Sequence, residues 1–240
     1  MEYRQRIYNQ YVASRSKASA MELSKELTLR ASYFLAIIKR YFPSDKEIAI
    51  TDLGCGYGGL VYYARQQGYR NVIGVDGSKE QVDAARDLNI HQIQQSDLFA
   101  FLQGIPRHSQ DFVVSLDVIE HFTKNELIEL VDHVFSALKE GGRWLIHAPN
   151  AESPFFGRIL YGDFSHELAF TQHSIAQLLH ASGFRSVESF EDMPAVHGIV
   201  SGIRLLFWKL IRECLRFYLR IEIGHGNSIV SQNFYTVAIK

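Results

Sequence analysis

Residues 48–59, Ile-Ala-Ile-Thr-Asp-Leu-Gly-Cys-Gly-Tyr-Gly-Gly, are the part of this 240-residue chain best equipped for chemistry. A short β-prone run carries an acid, Asp52, and breaks into Gly54, Gly56, Gly58 and Gly59 before a helical-looking segment. Glycine admits φ > 0 and lets a ligand lie against bare backbone, and the following helix offers unpaired N–H groups at its positive end. The pattern predicts strand, tight turn and helix with a small molecule against the turn. Gly54, Gly56 and Gly59 also satisfy the G-x-G-x-x-G dinucleotide pattern, with Asp76 placed as the acid after a second strand. No Lys-Ser or Lys-Thr follows the last glycine, which excludes a Walker phosphate loop. A plain connecting turn rarely needs so many glycines. Spacing alone leaves two nucleotide-like cofactors open.

The elements that must hold this turn follow in alternation. Residues 72–76 form a second strand and residues 79–88 a helix; residues 90–94 form a third strand, ending at Ser96-Asp97-Leu98. Residues 112–116 form a fourth strand ending at Asp117-Val118-Ile119-Glu120-His121, and a helix over 124–138 is capped by Gly141-Gly142. Residues 144–148 form a fifth strand, 171–182 a helix, and 184–190 and 233–239 two last strands. Such alternation predicts a parallel sheet covered on both faces, with ligands at the carboxyl ends of its strands. Asp52, Asp76, Asp97 and Asp117 all stand there. A single Asp at a strand end is more often a cap or turn former, but four in succession argue for a ligand. Upstream, apolar residues at helical spacing predict one helix over 21–42, closed by Pro43. Residues 1–20 read as a Tyr- and Arg-rich arm, either disordered or folded over the glycine turn as a lid with Tyr8 or Tyr11 reaching the ligand.

With these motifs in order, the chain resembles the class I S-adenosylmethionine-dependent methyltransferases over nearly all of residues 48–240. Asp52-Leu53-Gly54-Cys55-Gly56-Tyr57-Gly58 is similar to the family's D-x-G-x-G-x-G motif, Val75-Asp76-Gly77-Ser78 to its second motif and Ser96-Asp97-Leu98 to its third. Residues 138–144 resemble its L-K-P-G-G turn, with Glu140 where proline is usual. Leu116-Asp117-Val118-Ile119-Glu120-His121 resembles the E-V-L-E-H stretch of the ubiquinone-type and cell-surface-sugar methyltransferases. The resemblance implies a seven-stranded Rossmann-like α/β sandwich with an antiparallel last strand. Residues 1–43 are then an N-terminal arm and helix, 44–240 the S-adenosylmethionine-dependent domain, and about 197–227 a helical insertion before the last strand. It implies that the backbone of Gly54, Cys55 and Gly56 lies against the methionine end of S-adenosylmethionine, whose product is S-adenosylhomocysteine. Asp52 positions the cofactor's amino group through the turn. Asp76, followed by Gly77, accepts the ribose hydroxyls. Asp97 and the Leu98 N–H take the adenine, and the backbone of Leu116 and Asp117 faces the ammonium. Ser78 reads as a helix cap.

Methyl transfer from a sulfonium is an in-line displacement, and positioning alone can supply on the order of 7–11 kcal/mol. A hydroxyl nucleophile also benefits from a base, and histidine suits neutral pH. Of ten histidines, His121 and His166 stand out as catalytic candidates. His121 follows the fourth strand; His166 lies in a stretch resembling the family's H-x-x-x-F-T entry to the helix after strand five. Asp117, Glu120 and His121 could also supply metal ligands, as the alternative to a site without metal. His147, inside strand five, reads as a satisfied core residue.

Apolar residues at 199, 203, 206, 207, 210, 214, 217 and 221 form a helical stripe, with Arg204, Arg212, Arg216 and Arg220 on another face. The expectation is packing against the domain or a second subunit, as in a homodimer, with a substrate lid and weak peripheral membrane contact through residues 199–222 as alternatives. Phe155, Phe156, Tyr161 and Phe164 could line an acceptor pocket or anchor a loop. A net charge of −1 and the lack of a basic patch interleaved with aromatics exclude a general nucleic-acid binder. Two cysteines, Cys55 and Cys214, build no disulfide framework, and there is neither a signal-peptide pattern nor a spanning apolar run. A cytoplasmic protein without membrane insertion is expected, methylating an oxygen of a small-molecule or sugar acceptor. A non-catalytic cofactor-binding scaffold and a nicotinamide oxidoreductase are the alternatives.

Overall fold

Inward-facing residues alternate along the central strands, and that alternation divides the core into two layers. The computed structural model describes residues 7, 20–196, 198–224 and 228–240. Its strands are β1 (Ala49–Leu53), β2 (Asn71–Asp76), β3 (Ile93–Gln95), β4 (Gln110–Leu116), β5 (Leu138–Pro149), β6 (Ser186–Glu191) and β7 (Asn233–Ile239), in one sheet of order β3-β2-β1-β4-β5-β7-β6. The first five run parallel, and β7 enters antiparallel between β5 and β6. Phe112, Val114 and Leu145 face one layer with Ile50; Val113, Trp144, Ile146 and Leu53 face the other. A sheet buried on both faces requires such runs of large apolar residues.

The helices are α1 (Ala20–Leu29), α2 (Ala31–Tyr41), α3 (Gly59–Gln66), α4 (Lys79–Asp87), α5 (Leu98–Gly104), α6 (Lys124–Ala137), α7 (Phe156–Leu160), α8 (Gln172–Ala181) and α9 (Ile199–Ile223). Phe34, Ile37 and Ile38 of α2 and Leu60 and Val61 of α3 cover one face; Leu130, Val131 and Val134 of α6 and Ile175 and Leu179 of α8 cover the other.

Three segments depart from the sequence reading. The helix expected over 21–42 is two helices meeting at Arg30, whose guanidinium lies over the rings of Tyr33 and Phe34 at 5.4 and 5.0 Å. Gly141-Gly142 does not cap α6. Leu138 has already turned to extended backbone to pair with Gln110, and the glycines sit within β5, bonded to the chain end through Gly141 N–H to Lys240 O and Lys240 N–H to Gly142 O. The third strand begins at Ile93 and not at residue 90, because Ile90 N–H still bonds back to Ala85 O in the turn after α4 and only Ile93–Gln95 pair with β2.

Candidate functional site

The glycine turn is tied down before any ligand arrives. Gly54 N–H and Cys55 N–H both donate to Val75 O, at 2.8 and 3.1 Å, so the loop leaving β1 is fastened to β2. Gly54 (φ +71°) and Gly58 (φ +83°) adopt the left-handed conformation that favours glycine. At Gly54 a Cβ would also stand 2.5 Å from Val118 Cγ2. Gly58 then opens α3, whose first N–H groups face the same end of the sheet.

Asp76 closes the turn from the neighbouring strand. Its Oδ2 accepts from Gly56 N–H and its Oδ1 from Ser78 N–H, both at 2.8 Å, and each oxygen keeps a further lone pair for a ligand hydroxyl. Burial raises its pKa, partly offset by those two bonds. Asp52 lies beneath, 3% exposed, and burial followed by the charge of Asp76 pushes it up to about 8. Cys55 is packed against Gly74, and burial lifts its thiol well above the usual range, as an inert packing group.

The remaining expected cofactor residues lie along the same edge. Asp97 caps α5 with Oδ1, accepting from Phe99 and Ala100 N–H, and Leu98 is the first helical residue. Ser78 caps α4, as read from sequence. Gly77 is exposed, with no atom closer than 3.9 Å to a Cβ placed there. Leu116 ends β4, and Asp117 follows with φ +56° and its N–H bonded to His147 O. Tyr11, like Tyr8, falls outside the described residues.

Beyond β4 the character of the site changes from backbone to side chains. The sequence offered the Asp117 backbone to the cofactor and its side chain to a metal, yet the carboxylate accepts from His147 Nδ1 at 2.7 Å. His147 is buried and satisfied as expected, with Asp192 3.4 Å from its other nitrogen. Burial opposes charge on both groups, but their mutual attraction prevails: Asp117 is held below and His147 well above its ordinary value. Asp192 was missed, being a lone acid in the segment after β6.

His121 and His166 come together, with ring centroids 4.7 Å apart. A 3₁₀ turn, Ile119–His121, carries the first, and Glu120 O accepts from Glu167 and Leu168 N–H, pinning the loop that carries the second. Glu120, read from the sequence only as a possible metal ligand, is 1% exposed. Its Oε2 has no hydrogen-bond partner among the described residues, and burial, then Asp117, raises its pKa well above normal. Burial, then His166, lowers His121, favouring the neutral imidazole that a base requires.

The apolar stripe of α9 does not pack against its own domain, which leaves the second-subunit half of the expectation. Ile199, Ile203, Leu206, Phe207, Leu210, Phe217 and Ile221 are all exposed. Arg212 and Arg216, on the other face of the helix as the sequence placed them, turn to buried Glu191, at 2.7 and 3.5 Å. Phe155, Phe156, Tyr161 and Phe164 are exposed as well, so they line no closed pocket among the described residues. No helix of the described residues is long and apolar enough to cross a membrane.

Residues 27–189 match the family model described as a methyltransferase domain. Among solved structures, an S-adenosylmethionine-dependent methyltransferase from Archaeoglobus fulgidus superposes with a TM-score of 0.68 at 22% identity, over 88% of this chain and 94% of that one. A possible histamine N-methyltransferase from Thermotoga maritima gives 0.63 at 15%, over 98% and 99%. Phosphoethanolamine N-methyltransferase 2 from Haemonchus contortus, in complex with S-adenosyl-L-methionine, gives 0.62 at 19%; the match spans 97% of this chain and 60% of that longer one. At such identities these likenesses show a shared fold.

Proposed function

Since the chain belongs to the methyltransferase-domain family, we propose that it is an S-adenosylmethionine-dependent methyltransferase acting on a hydroxyl of a small molecule or sugar. Membership displaces the nicotinamide reading that the glycine spacing allowed. The observation that carries the donor site is the Asp76 carboxylate, fixed by Gly56 and Ser78 N–H groups beside the left-handed glycine turn. There Asp76 accepts the ribose hydroxyls, while Gly54, Cys55 and Gly56 cradle the methionine end. Asp52 serves the amino group, Gly77 leaves room beside the ribose, Asp97 and Leu98 meet the adenine, and Leu116 and Asp117 border the ammonium.

His121 and His166 are the candidate bases, and their proximity to each other supports a common task. An oxygen acceptor is the reading that gives two adjacent imidazoles a purpose. The exposed stripe of α9 meets a second copy of the chain. Calorimetry with S-adenosylhomocysteine tests the donor site. Wild type should bind, and Asp76→Asn should weaken binding by roughly 10- to 150-fold, the range for losing about 1.5–3 kcal/mol of charged hydrogen bonding. No binding by wild type overturns the donor reading. A screen of sugar and quinol acceptors then tests the substrate class.

A further inference from the structure

Glu120, His121 and His166 each offer a ligand atom within 4.8 Å of the other two, drawn from positions 45 residues apart. Hydrogen bonds decide which nitrogen each ring has to give. His166 Nδ1 lies 3.0 Å from Ile159 O, a pure acceptor, so Nδ1 carries the proton and Nε2 the lone pair. Ser165 Oγ, 3.0 Å from His121 Nδ1, already donates its own proton to Asp163 Oδ1 at 2.6 Å. It must therefore accept from His121 Nδ1–H, leaving Nε2 unprotonated there too. Two imidazoles fixed in this tautomer by a carbonyl and a hydroxyl–carboxylate chain have the outer support that metal-binding histidines show. The third member, Glu120, brings a carboxylate oxygen that is buried without a hydrogen-bond partner among the described residues, an arrangement costly unless something pairs with it.

We propose that Glu120, His121 and His166 form a binding site for one divalent transition-metal cation. Two imidazole nitrogens and one carboxylate oxygen suit zinc, iron, manganese or cobalt better than magnesium or calcium, which prefer all-oxygen shells. Asp117, the acid that the sequence placed nearest this set, stays outside it because His147 holds its carboxylate. Three protein ligands leave positions open, and an acceptor oxygen bound there is more acidic than in water. A ring whose lone pair binds the cation cannot also take up a proton, so the proposal replaces the base role of these two histidines rather than adding to it.

Cobalt(II) titration of the full chain, followed by its visible d–d absorption, tests the site. One saturable equivalent is expected, displaced by zinc. Glu120→Gln, which keeps the side-chain volume, and His166→Ala should each remove the band. Ser165→Ala, which removes the hydroxyl link from His121 Nδ1 to Asp163 and leaves only the Ser165 carbonyl, 3.3 Å from that nitrogen, should weaken binding by about 10-fold. Circular-dichroism melts identify any variant that fails to fold. No saturable band in wild type, or a band that survives in the folded Glu120→Gln and His166→Ala proteins, overturns the proposal. The readout is the cation's own spectrum, so it stands whether or not S-adenosylhomocysteine binds.

Discussion

The two ends of the sheet's carboxyl edge are built from different materials. At β1 and β2 the site is backbone: glycines at positive φ, N–H groups fastened to Val75 O, and one carboxylate locked by two amides. Past β4 it is side chains: Glu120, His121, His147, His166 and Asp192, gathered from four separate segments, beside surfaces rich in exposed aromatics. Backbone geometry tolerates few alternatives, so a family can share the first region while the second varies with the acceptor. Changes in the first region should therefore affect donor binding and folding, and changes in the second turnover and partners.

The largest effect tests that division directly. His121→Ala and His166→Ala should each lower turnover by about 10²–10⁴-fold whether the rings act as bases or hold a cation, with S-adenosylhomocysteine affinity near the wild-type value. A matching loss of donor affinity would mean that the two regions are not separable, and unchanged turnover in both variants would remove the pair from the mechanism.

Next comes the backbone end. Gly54→Ala forces a side chain into the left-handed region and against Val118, at a cost of about 2–3 kcal/mol, or roughly 4–12 °C in melting temperature. Gly77→Ala, in the same edge but facing open space, should leave the melt unchanged. Equal melts for the two would show that the turn is not as constrained as its hydrogen bonds suggest.

A smaller effect concerns protons. Because folding raises Asp52 from 3.8 to about 8, this acid contributes progressively less to stability as pH climbs across that window. A cationic amino group settling on the turn favours the carboxylate, so donor binding at pH 7 should release up to one proton and tighten as pH rises towards 8. Calorimetry in two buffers of different ionisation enthalpy measures the release, and Asp52→Asn should abolish it. Buffer-independent heats in wild type would place the amino group elsewhere.

The same contrast explains what could be read from the chain. Strand–helix alternation and the glycine spacing are local signals, and they gave the strands and Ser78 as a cap; the antiparallel last strand came only from the family resemblance, because alternation by itself predicts a parallel sheet. Asp97 was read as an adenine ligand, and its carboxylate is engaged as the cap of α5; one residue type serves both purposes, and the sequence does not separate them. His147 was legible as buried, but its pairing with Asp117 and Asp192 joins residues 30 and 45 positions away, which no local pattern encodes. Glu120 was visible within its motif, yet a Glu between Asp117 and His121 does not by itself announce burial at 1% exposure. Gly141-Gly142 was misread because a paired glycine inside a strand and a helix-ending glycine look alike until the strand partner is known.

The smallest intrinsic effect belongs to α9, where periodicity was right and packing against the chain's own domain was not. A helix with apolar residues at 199, 203, 206, 210, 217 and 221 satisfies the amphipathic pattern whether its partner is its own domain or another molecule. Here Arg212 and Arg216 anchor one side through Glu191, and the apolar side faces outward. Leu206→Glu with Phe207→Glu removes no buried contact, so stability should shift by no more than about 0.5 kcal/mol and donor affinity not at all. If a second copy covers this stripe, sedimentation should show a wild-type dimer and a monomeric double variant. A wild-type monomer at every concentration would break the dimer reading, and co-flotation of that monomer with anionic liposomes, lost in the variant, would assign the stripe to a membrane surface instead.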